Sequence, residues 1–228
     1  MARAKNHSSQ FTIWWSGTAG QAEWLKFYSK ELQGCSRLQQ MPRSVSQLPE
    51  GLRPLFALEH PDLVVSDSAG QAVLSVEITE QAAFGTNSQQ RMARMWSAVA
   101  NGVPAAYLLP IESYQIDHDS KGRGDRVLSS ANRDLALFAD AIPGLTVATC
   151  LSNRAETPSD VVAAIRRNDF DIPAANRQAV LNFIHRHVLN DTNSRHLRIV
   201  PPDQAYHKVG NRTYRAYLRR PGVPESMA

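Results

Sequence analysis

Apolar positions recur along this chain with two different periods, and the changes of period mark its elements. From Ala19 to Leu32, the apolar residues Trp24, Leu25, Tyr28 and Leu32 fall on one side of a helical wheel, with a Gly34-Cys35 break after them. This predicts an amphipathic helix. Residues 36–54 hold Pro42, Pro49 and Pro54 among serines and glutamines and read as an irregular connection. The period then becomes two. Leu63-Val64-Val65-Ser66-Asp67 and Ala72-Val73-Leu74-Ser75-Val76-Glu77-Ile78-Thr79, separated by Ser68-Ala69-Gly70-Gln71, predict a β-hairpin.

After Gly85 the helical period returns. Met92, Met95, Trp96 and Val99 form the apolar stripe of a helix from Asn87 to Asn101, with Gln90, Arg91, Arg94 and Ser97 expected on its outward, polar face. Asn101-Gly102 ends that helix, Pro104 prevents its return, and Ala105 to Leu109 follows as a short apolar strand. Strand, helix and strand of these lengths imply a parallel crossover. Residues 111–129 read as a polar loop, most flexible at Lys121 to Arg126. Helices are expected near 131–141, 158–167 and 174–189, a strand near Leu145 to Thr149, and a strand or arm at Thr213 to Leu218. No internal repeat or low-complexity tract interrupts the pattern.

Composition narrows the class. With 228 residues, 43% of them hydrophobic and 20% charged, the chain has enough apolar surface for one buried core. No apolar run approaches the roughly 20 residues of a membrane span, and the first residues lack the apolar centre of a signal peptide, so a cytoplasmic protein is expected. Cys35 and Cys150 stand far apart without a Cys/His cluster, which argues against a zinc knuckle or a disulfide framework. The net charge of +4 is unevenly spread: residues 177–220 carry nine basic side chains against Asp191 and Asp203. Arginine outnumbers lysine 20 to 5. Genome composition can produce such a bias, but its clustering in one segment points to a nucleic-acid partner.

Candidate chemistry sits in the hairpin. Strand alternation sends Glu77 and Thr79 to one face and Val76 and Ile78 to the other, so a carboxylate is embedded in an otherwise apolar strand. Pro61-Asp62 precedes the partner strand, and hairpin pairing can bring Asp62 beside Glu77. Two adjacent carboxylates repel unless a cation lies between them, and all-oxygen ligation suits magnesium. A strand-start and a strand-end acid also occur together in many proteins without any such site.

These residues resemble the PD-(D/E)XK nuclease superfamily, with Pro61-Asp62 as the first half of its motif and Glu77-Ile78-Thr79 as the second. Glu77 to Glu80, Gly85 to Arg94 and Gly102 to Tyr107 together look like a group of type II restriction endonucleases that carry Glu-x-Thr in place of Glu-x-Lys. The likeness covers about 50 of the 228 residues. It implies an α/β fold with a restriction-endonuclease-like core, a mixed central sheet flanked by helices. One domain is expected over residues 1–228, with its catalytic core at about 55–110 and a basic, DNA-contacting region at about 177–220. It further implies that Asp62, Glu77 and the Ile78 carbonyl hold Mg2+ against the scissile phosphate of double-stranded DNA, leaving a 5′-phosphate. A homodimer cutting a palindromic sequence is the expected form, in a system that also holds a DNA methyltransferase.

Thr79 departs from the superfamily's lysine and offers a hydroxyl without a charge. Its replacement is expected from Thr79 together with Gln90; Arg91, Lys26 and Lys30 are the alternatives. Gln90 also fits a reciprocal cap with Asn87. Arg91 and Arg94 near the helix N-terminus, Arg123 in the polar loop, and Arg212 and Arg215 in the tail are the candidate DNA contacts. Glu59 is a candidate additional ligand, Glu23 and Glu31 are candidate outer groups, and Glu80 is expected in solvent. His185-Arg186-His187 lacks the spacing of a helical metal pair. Two rivals remain: a repair or mobile-element nuclease that reads DNA structure, and an inactive DNA-binding module with the same fold.

Overall fold

Short β-branched and aromatic runs pair into a six-stranded mixed sheet whose spatial order is Ser36–Gln40, Phe11–Trp15, Leu63–Ser66, Ala72–Ile78, Ala105–Pro110, Thr146–Leu151. In the computed structural model the described residues are 10–28, 30–78, 86–110, 113–115, 125–127, 142, 144–151, 172 and 174–191. The strands of this sheet are β1 (Phe11–Trp15), β2 (Ser36–Gln40), β3 (Leu63–Ser66), β4 (Ala72–Ile78), β5 (Ala105–Pro110) and β8 (Thr146–Leu151). The helices are α1 (Ala19–Tyr28), α2 (Lys30–Cys35), α3 (Thr86–Ala100) and α4 (Ala174–Val188). The chain is therefore α/β, with a mixed sheet as expected.

The hairpin is β3 and β4, antiparallel with Leu63 opposite Val76. Its turn is built by Asp67, whose Oδ1 accepts hydrogen bonds from the backbone N–H groups of Ala69 and Gln71, both at 2.9 Å. Gly70 occupies the turn at φ 77°, a conformation that side chains with a Cβ disfavour. The crossover is also present: β4 and β5 are parallel and α3 connects them. Gly102, at φ 71°, closes α3, with Gly102 N–H donating to Val99 O and Val103 N–H to Ala98 O.

Residues 11–15 form β1 at the centre of one half of the sheet, antiparallel to β3 and parallel to β2. Residues 36–54 are not irregular: β2 is an edge strand, and two 3₁₀ helices, Val45–Gln47 and Glu50–Phe56, follow it. In β2 only Ser36 is buried and Leu38 half-buried, so edge pairing through the backbone leaves almost no apolar period to read. The 3₁₀ turns accommodate Pro49 and Pro54 while burying Leu52, Leu55 and Phe56. Within the stretch 111–129, expected as a polar loop, a two-stranded antiparallel ribbon forms instead, β6 (Ser113–Gln115) with β7 (Asp125–Val127). Strands of three residues are too short for periodicity to show. The single helix expected over 19–32 is the pair α1 and α2. The expected helices near 131–141 and 158–167 and the arm at 213–218 lie outside the described residues.

Strand alternation gives the sheet two apolar faces. On one, Ile13, Val65, Val76, Ile78 and Leu108 pack under α1 and α4. On the other, Trp14, Val64 and Tyr107 pack under α3 and the 3₁₀ helices, with Met95 and Ala98 supplied by α3. Glu77, opposite Tyr107 in register, belongs to this second face and lies beneath α3. Among the described residues no helix is long and apolar enough to cross a membrane.

Candidate functional site

Asp62 immediately precedes β3, and its backbone is fixed from β1: Asp62 O accepts the Ser16 N–H at 3.0 Å, and Pro61 O accepts the Ser16 hydroxyl at 2.8 Å. Antiparallel pairing then sets position 62 against position 77. The two residues clasp each other through side chain and backbone. The Ile78 N–H donates to Asp62 Oδ2 at 2.9 Å, and the Asp62 N–H donates to Glu77 Oε2 at 3.3 Å. The sequence expectation that Asp62 and Glu77 meet is thus met.

The remaining carboxylate oxygens face α3. Arg94 Nη1 donates to Glu77 Oε1 at 2.5 Å and lies 3.3 Å from Asp62 Oδ1, so one guanidinium nitrogen serves both carboxylates. Arg91, one turn earlier, holds Nε 3.6 Å from the same Glu77 Oε1. Spacing of i and i+3 places both arginines on one side of the helix. The outward face expected for Arg91, Arg94 and Ser97 is therefore corrected. Ser97 is buried with its hydroxyl donating to Pro54 O at 3.1 Å, whereas Trp96, expected inside, is 54% exposed. The driving force is electrostatic: a Glu77 side chain only 2% exposed needs a compensating charge, and a rotation of α3 supplies two.

That compensation is incomplete. Burial, and then the neighbouring Asp62 charge, push the Glu77 carboxyl up to about 8, against the opposing pull of Arg94 and Arg91. Asp62 is also raised, by burial above all, although the Ile78 N–H and the two arginines draw it down. On the cationic side, Arg91 Nη1 and Arg94 Nε are buried with no hydrogen-bond acceptor among the described residues. The cluster thus sets two buried carboxylates against two arginines, with two guanidinium nitrogens that have no acceptor among the described residues.

The carboxylates form an oxygen-only donor pair of the kind hard divalent cations take, and Oδ1 and Oε1 already converge on one cationic atom. Their chemistry fits magnesium. Among the described residues no third His, Cys, Asp or Glu joins them, so Glu59 is not a partner in the cluster. Ile78 meets Asp62 through its N–H. Lys26 and Glu23 belong to α1, which packs on the opposite sheet face. Thr79, Glu80, Arg123, Arg212 and Arg215 lie outside the described residues, as do the side chains of Gln90, Lys30 and Glu31. The inward role of Arg94 was missed, although a legible signal existed: an Arg pair at i and i+3 on the crossover helix that follows an embedded strand carboxylate.

No family model, no curated protein and no solved structure matches this chain.

Proposed function

We propose that the chain is a magnesium-dependent DNA endonuclease of the restriction type, with Asp62, Glu77 and the Ile78 carbonyl as the residues that hold the ion. The observation that carries this reading is the convergence of Asp62 Oδ1, just before β3, and Glu77 Oε1, in β4, on a single guanidinium nitrogen. Magnesium bound there would supply the Lewis acidity that activates water and offsets charge on the scissile phosphate. Asp62 is oriented for ligation by the Ile78 N–H, and Glu77 by the Asp62 N–H, so neither carboxylate has to be ordered on binding. Arg91 Nη1 and Arg94 Nε, which have no acceptor among the described residues, match the acceptor oxygens of a phosphodiester. In this reading Thr79 and Gln90 orient the water, and the basic stretch at 177–220 adds contacts to the DNA backbone.

A homodimer with one site per strand gives cleavage at a palindromic sequence. Supercoiled and linear DNA incubated with the protein and magnesium should yield discrete fragments with 5′-phosphate ends. Smearing would identify a nuclease that does not read sequence. The second reading, an inactive DNA-binding module, is favoured by the guanidinium that already bridges both carboxylates. It predicts intact DNA across all divalent metals, with binding retained.

A further inference from the structure

We propose that Arg94 is a built-in occupant of the cation position, and that a divalent ion binds by displacing its guanidinium from Asp62 and Glu77. This rests on the reading of the carboxylate pair as a cation site, but not on cleavage. The geometry is that of a competitor. A cation held jointly by Asp62 Oδ1 and Glu77 Oε1 competes with Arg94 Nη1, which bridges the same two oxygens at 3.3 Å from the first and 2.5 Å from the second. Guanidinium and metal cannot share the position, since like charges at such separation repel strongly.

The local structure makes displacement feasible. Asp62 Oδ2 and Glu77 Oε2 are anchored by backbone N–H groups, so the carboxylates stay in place when the arginine leaves. Arg94 is 20% exposed, which leaves its side chain a route outward. Its Nε has no acceptor among the described residues, so those residues leave the arginine incompletely satisfied where it is. A phosphate arriving with the metal would accept hydrogen bonds from the displaced guanidinium. The arrangement holds the carboxylates together in the absence of ligand and makes metal affinity weak until DNA is present.

The test is metal binding without DNA. Calcium and magnesium are titrated calorimetrically into the wild type and Arg94→Gln under identical buffer conditions. Arg94→Gln should bind about tenfold or more tightly, the effect of removing one adjacent competing charge. A parallel measurement needs no variant: the Arg94 Nε–H resonance of the wild type, assigned through bonds from the backbone, should move with calcium in step with binding. Equal or weaker binding by Arg94→Gln would overturn the proposal, as would an unmoved Arg94 resonance while metal binds. Absence of binding by both proteins would overturn it together with the cation-site reading. Tighter binding by Arg94→Gln in a protein that never cuts DNA would support the displacement and remove the nuclease.

Discussion

At the scale of single residues, Glu77 is where burial and charge compete most sharply. Its carboxyl is raised from an ordinary 4.5 to about 8, so between these values the folded protein keeps a proton that the unfolded chain has lost. Stability without metal should therefore fall as pH rises through that window. Asp62, also raised, adds to the fall with the same sign. Glu77→Gln should flatten the dependence: little changed near the acid end, and more stable than the wild type at the alkaline end, as read by thermal melts across pH. Arg94→Ala should act oppositely, costing about 2–4 kcal/mol because it strands buried carboxylates. Urea denaturation checks this, and a loss confined to a few tenths of a kcal/mol would mean the ion pairs are dispensable.

At the scale of elements, the hairpin and crossover were legible because their signals are local. Asp67 and Gly70 encode the turn, alternation encodes the strands, and Asn101-Gly102 encodes the stop of α3. Gly70→Ala should cost about 1–2 kcal/mol, since φ is 77° and the added Cβ would lie 3.1 Å from Pro49 Cβ. The orientation of α3 was not legible. Its apolar stripe pointed Trp96 inward, but the carboxylates beneath the helix drew Arg91 and Arg94 to that side, and charge at residue 77 is a tertiary fact. Met95→Ala should therefore cost about 2–4 kcal/mol, whereas Trp96→Gln should cost less than about 1 kcal/mol. Comparable losses would place the helix in the orientation its periodicity suggests. Strand β2 escaped the sequence for the opposite reason: its order comes from backbone pairing with β1, and its side chains carry little pattern.

At the scale of the whole molecule, the mixed sheet explains why one end of the hairpin gathers a cluster of buried charges. Antiparallel β3 and β4 set the carboxylates side by side, and the parallel step from β4 to β5 requires a helix to cross over the same face. The arginines arrive on that helix. Sequence alone supplied the acids and the order of the elements from Leu63 to Pro110, while the electrostatic match between strand and helix emerged only from packing. The most direct measurement is a paired assay of Glu77→Ala and wild type for DNA cleavage with magnesium and for DNA binding without it. Cleavage into discrete fragments by the wild type, lost in Glu77→Ala with sequence-specific binding retained, is the predicted result. Unchanged cleavage by Glu77→Ala would contradict the assignment of the site.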